Sequence, residues 1–143
     1  MRPLLFYDGA IAHAIPTTIW REENHLYIHG SNGSRLLKFL HTGAQVCVSV
    51  TNIHGLVLAR SAFHHSINYN SVCIYGAFEA VAEDTKKNHM HCFMEHSMPG
   101  RWQYVRIPNK KELAATTIMR IAIVEAVLKS RQGPPKDDVS DMT

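Results

Sequence analysis

Long apolar runs are missing from this sequence: none approaches the roughly eighteen residues that a membrane-spanning helix needs. The opening MRPLLFYDG holds one arginine and a short apolar stretch that Asp8 interrupts, which falls short of a secretory signal. The sequence therefore predicts a cytoplasmic protein with no membrane contact. Cysteine is scarce as well. Cys47, Cys73 and Cys92 are odd in number and show no CxxC spacing, so neither a disulfide framework nor a zinc ribbon is expected. Cys47 and Cys73 lie in apolar, strand-like runs, where buried free thiols are common. Ten histidines are present, but no HExxH, and His89 with His91 reads as a helix surface; no metal site is expected. Bases are scattered, with Arg106, Lys110 and Lys111 closely followed by Glu112. The net charge of +3 thus carries no nucleic-acid motif and suits a small anionic ligand equally well.

What is present is the composition of one globular domain. At 143 residues the chain is long enough for a single core, and 45% hydrophobic against 19% charged residues is ordinary for a soluble fold. Neither an internal repeat nor a linker divides it. Residues 1–135 are expected to form one domain, and the Pro-rich, acidic residues 136–143 a flexible tail.

The first half alternates like short strands with turn punctuation. LLFYD ends at Gly9, IAHAIPTTIW reads as a second strand, and HLYIHG reads as a third after the polar turn Arg21–Asn24. Sequential hairpins of this kind predict an antiparallel meander. The period then changes. Leu36, Leu37 and Leu40 fall at helical spacing, Ser31, Asn32 or Ser34 can cap the segment, and Gly43 can stop it. QVCVSVTNI is the clearest strand, with LVLARSAF expected as its hairpin partner beyond Gly55. HHSINYN reads as an irregular link before the strand SVCIYGAFEAVA. Residues 83–98 predict a helix ended by Pro99-Gly100, with Met90, Phe93, Met94 and Met98 as a packing stripe. Trp102 and Tyr104 read as packing anchors in the loop that follows. Residues 110–115 predict one helical turn, and TTIMRIAIVEAV a closing strand. The sum is an α+β, mainly antiparallel β chain of six or seven strands with two inserted helices, built as a barrel.

Three segments can carry chemistry. In HGSNGSRLL a strand end meets glycines, serines and an arginine just before a helix. Glycine permits close approach, exposed N–H groups favour an anion, and Arg35 with the Ser31 and Ser34 hydroxyls suits phosphate. A capped polar turn explains the same residues. SAFHHSINYNSV crowds hydrogen-bonding side chains between apolar strands, which suits a flat polar heterocycle on a barrel rim but also fits a surface loop. His65 there can serve proton transfer. In IPTTIW a proline inside a strand implies an edge or a bulge, leaving backbone groups and the Thr17 and Thr18 hydroxyls available; a plain edge strand with a core Trp20 fits too.

Taken together in this order, IPTTIW, LYIHGSNGSRLLKFL, VCVSVT, GLVLARSAFHHSINYNSVCIYG, PGRW and KELAATT resemble the flavin-nucleotide-binding branch of the pyridoxamine 5′-phosphate oxidase-like superfamily, which includes the nitroimidazole-resistance proteins. The resemblance runs from about Leu4 to Pro135. It implies a six-stranded antiparallel split β-barrel with a few helices, homodimeric, holding FMN between subunits. It further implies phosphate contacts from Ser31, Ser34 and Arg35, with His29 beside them. The isoalloxazine ring is expected along Pro16, Thr17 and Thr18, and Asn68, Tyr69, Ser71 and Val72 near the ring or its ribityl chain. The implied activity is that of an FMN-dependent oxidoreductase acting on a small molecule, with His65 as the residue near the reacting face. A flavin carrier without turnover and, less favoured, a haem-binding relative are the competing expectations.

Overall fold

The computed structural model describes residues 1–142; Thr143, the last residue of the expected tail, lies outside them. Nine strand segments build two sheets. The first has five strands in the order β2-β1-β5-β6-β9, namely Ala12–Thr17, Arg2–Tyr7, Val46–Val57, Ser66–Gly76 and Glu125–Arg131. The second has four, in the order β3-β4-β8-β7, namely Trp20–Glu22, His25–Ser31, Thr116–Ala122 and Glu79–Ala80. Every pairing is antiparallel, and neither sheet closes on itself. This is the split-barrel arrangement.

Two segments that read as single strands each divide between the sheets. IAHAIPTTIW leaves the first sheet after Thr17 and enters the second at Trp20, and TTIMRIAIVEAV leaves the second after Ala122 and enters the first at Glu125. The second crossing is pinned by Asn24, whose carbonyl accepts from Ile123 N at 2.9 Å and whose Nδ2 donates to Ile123 O at 3.2 Å. A third difference lies at Gly55, which does not turn the chain. β5 runs straight through it with a bulge between Ile53 and Gly55, and LVLARSAF is strand only to Val57. HHSINYN is not a link: β6 begins at Ser66 and pairs residue by residue with β5. A bulge absorbs one residue without ending a ladder, so the glycine gave a misleading turn signal.

The helices are short. α1 (Arg35–Leu40) is capped by Ser34, whose Oγ accepts from Leu37 N at 3.4 Å, and Gly43 at φ 74° follows it. Residues Glu83–Thr85 form a 3-10 turn, and α2 begins only at Lys86, running to Ser97. α3 (Lys110–Ala114) carries a full capping box between Asn109 and Glu112.

One core lies between the sheets: Leu4, Val48 and Ile74 from the first face Leu26, Ile28, Met119 and Ile121 from the second, with Leu37 and Leu40 of α1 closing it. A smaller cluster lies on the outer side of the second sheet, where Trp20, Tyr27 and Ile118 meet Met90 and Phe93 of α2. The residue pattern on α2 is therefore packing for Met90 and Phe93, while Met98 is exposed. Leu40 is fully buried in the core between the sheets. Leu40→Ala is expected to lower the unfolding free energy by about 2–5 kcal/mol, read as a reduced urea midpoint at unchanged slope.

Candidate functional site

The turn after β4 is built by its own backbone: Ser34 N donates to Ser31 O at 2.9 Å, and Asn32 N to Ala115 O at 3.0 Å. Asn32 is consumed structurally, its Nδ2 donating to Ala114 O and its Oδ1 accepting from the Thr117 hydroxyl. Gly30 lets α1 approach, since a Cβ there would meet Leu37 Cδ1 at 3.0 Å. That leaves Ser31, Gly33 and Arg35 exposed, and the Arg35 guanidinium meets no carboxylate or other hydrogen-bond acceptor among the described residues. A cation with five donors and no partner, next to two hydroxyls, is a donor set for an oxyanion. With six residues, α1 adds little dipole, so the side chains and turn amides would carry such an interaction.

The proline-containing segment lies where the chain changes sheets. β2 is an edge strand, so one row of its backbone groups is unpaired, and Pro16 stands opposite Pro3, which puts both missing donors at one rung. Thr18 lies in the crossing itself, where its hydroxyl donates to the Met1 sulfur at 3.3 Å.

The four residues singled out on β6 do not share a face. Strand alternation puts Asn68 and Val72 on the side of buried Ile74, and Tyr69 and Ser71 on the outer side with Cys73 and Tyr75. The Asn68 amide is fully engaged: Oδ1 accepts from Arg131 Nη1 at 2.7 Å, and Nδ2 donates to Gly133 O at 3.1 Å. No sequence signal links these residues, which are about sixty positions apart.

His65 is exposed, just after the 3-10 turn Ala62–His64, and its Nδ1 lies 3.0 Å from Ser61 O. A carbonyl only accepts, so Nδ1 donates, and Nε2 has no partner among the described residues. The nearby acid belongs to His64, whose Nε2 is 3.9 Å from Asp138 in the residues expected as tail. Asp137 also accepts from Arg60 N at 2.8 Å.

His29 sits at the turn in sequence but points elsewhere. Its ring packs on Phe93 (centroids 4.6 Å apart) and on Trp20 (5.8 Å) beneath α2, and its Nδ1 is buried without a partner. Burial holds its pKa below the ordinary histidine value. His89 is likewise not a surface residue. Its Nδ1 is 2.9 Å from Glu22, which also accepts from Trp20 Nε1 at 2.7 Å, so one carboxylate fixes strand and helix together. Burial, with Glu22 close by, pushes the Cys92 thiol up.

Because the folded state resists protonating His29, its contribution is intact above about pH 6.5 and is lost as pH falls below that toward the lowered value. His29→Phe should therefore flatten the acid-side decline in urea midpoint between pH 8 and pH 5; an unchanged decline would assign it to other groups.

Comparison with known proteins follows from this geometry. No curated protein matches the sequence significantly. Among solved structures, the FAD- and haem-binding protein from Mycobacterium smegmatis is 36% identical with a TM-score of 0.92, covering 99% of this chain and 70% of that one. A flavocytochrome from Azotobacter vinelandii is 34% identical with a TM-score of 0.87, covering 99% of this chain and 66% of that one, so this chain spans just under two thirds of its length. A candidate 5-nitroimidazole antibiotic resistance protein from Bacteroides thetaiotaomicron, 14% identical with a TM-score of 0.69 over 89% of this chain and 74% of that one, shares the fold. The family model for pyridoxamine 5′-phosphate oxidase matches residues 4–130, nearly the whole described chain, and with the two-sheet architecture and the match at 36% identity this places the chain in the pyridoxamine 5′-phosphate oxidase family.

Proposed function

We propose that this protein binds FMN at the turn and edge described above and acts, as a homodimer, as an FMN-dependent oxidoreductase on a small molecule. The observation that carries the reading is the unpartnered Arg35 guanidinium beside Ser31, Gly33 and Ser34, in a chain whose relatives include an FAD- and haem-binding protein and a flavocytochrome. Ser31, Ser34 and Arg35 hold the phosphate. Pro16, Thr17 and Thr18 orient the ring through the open backbone of the sheet edge, and His29 supports the turn from behind by its packing on Trp20 and Phe93. The bound flavin supplies the electron and hydride transfer, and the protein supplies anchorage and electrostatics.

The two faces of β6 support the dimer. Asn68 and Val72 serve the subunit's own side, while Tyr69 and Ser71 face outward, where Leu5, Tyr75 and Val127 leave apolar surface uncovered. A second copy seated there would place Tyr69 and Ser71 between subunits. Sedimentation of the flavin-loaded protein should show a dimer, and a monomer that retains flavin would overturn this arrangement.

Arg35→Ala is expected to weaken FMN binding by about 1.5–3 kcal/mol, ten-fold or more in dissociation constant by calorimetric titration. An unchanged constant would remove Arg35 from the site. Because Arg35 is exposed, the substitution should leave the unfolding free energy within about 0.5 kcal/mol of the parent.

A second reading, haem binding, is favoured by one observation: the unpartnered Nε2 of exposed His65, whose ring is held by the Ser61 carbonyl, two residues from Phe63, which is 89% exposed. His65→Asn separates the roles. Loss of a Soret band on haemin titration would make it an iron ligand, whereas lowered turnover with flavin retained would make it the proton-transfer group. Neither change would retire it from both.

A further inference from the structure

The barrel is covered at one end only. α1 plugs it with Leu37 against Gly30 at the end of β4. At the other end of β4, around Leu26, the sheets diverge and leave a cavity of about 400 Å³. Val50, Val72 and Ile74 form its wall on the first sheet and Leu26 on the second, and Ile19, Trp20 and Ile123 line it where the chain crosses between sheets. Val50 and Val72 are only half-buried there, whereas Val48, one pleat further in, is fully buried. Close packing is the rule for a core, so a space of this size at a barrel mouth has the dimensions of a small-molecule site.

Its mouth carries two guanidiniums. Arg2, Arg21 and His96 border the cavity, and no carboxylate lines it. Arg2 donates through Nη1 to Thr51 O at 3.3 Å, and Arg21 through Nε to Glu23 O at 2.6 Å; neither is in an ion pair among the described residues, and each keeps further N–H donors. Arg21 and His96 also border an outer groove that holds Glu22, Glu23 and Glu95, so they stand on the rim between the two spaces. Arg2 faces the cavity alone.

We propose that this cavity binds a monocarboxylate with an apolar body, of the medium-chain fatty acid type. The body fills the space between the sheets, and the carboxylate accepts charge-assisted hydrogen bonds from the Arg2 and Arg21 guanidiniums. The site is separate from the phosphate turn: none of Ser31, Ser34 and Arg35 lines it, and Val72 is the one residue shared with the flavin contacts proposed above. It needs no flavin to stand. A free phosphate would leave the apolar walls wet, and a long-chain alcohol would leave both guanidiniums unpaired.

Trp20 borders the cavity, with its ring packed on Tyr27 and Phe93 at the outer side of the second sheet, so a bound body reaches it across the strand. The chain has two tryptophans, so Trp102→Phe leaves Trp20 as the sole emitter. Titrating that protein with decanoate should change Trp20 emission saturably, with decanol at least ten-fold weaker. Arg2→Ala and Arg21→Ala should each narrow that ratio, and Val50→Phe should block both probes. Equal binding of decanoate and decanol, or no saturable change, would overturn the proposal. So would decanoate binding unaffected by Val50→Phe at a retained urea midpoint, because the probe would then sit on the exposed sheet face. Should Val50→Phe not fold, the two arginine variants decide. Repeating the titration on FMN-loaded protein separates the sites: unchanged decanoate affinity is expected, and one-for-one displacement by FMN would make the cavity the flavin's own and end this reading.

Discussion

The apolar contact between two open sheets is what the remaining features depend on. Leu4, Val48 and Ile74 on one side and Leu26, Ile28, Met119 and Ile121 on the other are all within 6% of full burial. Each such side chain contributes about 1.5–3 kcal/mol on removal from water. Two sheets sharing one core in a single short chain force that chain to change sheets, and it does so between Thr17 and Trp20 and between Ala122 and Glu125. Those crossings break the strand ladders and free backbone and side chains at the barrel's rims.

The candidate flavin region follows from the first crossing. An edge strand with an unpaired backbone row ends there, and β4, which pairs with the strand after the crossing, runs on to the Ser31–Arg35 turn and its unpaired cation. Behind them, Glu22 ties Trp20 to His89 and holds α2 on the outer face of the second sheet, which keeps His29 buried and the turn supported. At the barrel's open mouth the same crossing supplies Ile19, Trp20 and Arg21 to the apolar cavity. One constraint thus positions both a polar site and an apolar one.

Much of this was legible in the sequence because the signals were local. The N-cap Ser34, the stop at Gly43, the alternation of Val46, Val48 and Val50, and the edge character of a proline-bearing strand each arise within a few residues. What was not legible depends on distant partners. IPTTIW and TTIMRIAIVEAV read as unbroken strands because the residues between the strands, Thr18 and Ile19 and then Ile123 and Val124, are all β-branched and strand-favouring, so composition gives no mark of the crossing. Gly55 looked like a turn, yet β5 passes it with a bulge. His89 looked like helix surface because its partner Glu22 is 67 residues away. His29, adjacent to the anion-like turn in sequence, faces the opposite cluster because a strand residue's direction is set by pleat, not by its neighbours' chemistry. The same alternation divides Asn68 and Val72 from Tyr69 and Ser71, a division that a run of polar letters conceals.

The central claim is that this member of the pyridoxamine 5′-phosphate oxidase family carries FMN. The absorbance spectrum of the purified protein, followed by denaturation and identification of the released chromophore, tests it most directly. Flavin bands and release of close to one FMN per chain are the predicted result. A colourless protein that gains no flavin bands on added FMN, or one that releases FAD or haem alone, would contradict it.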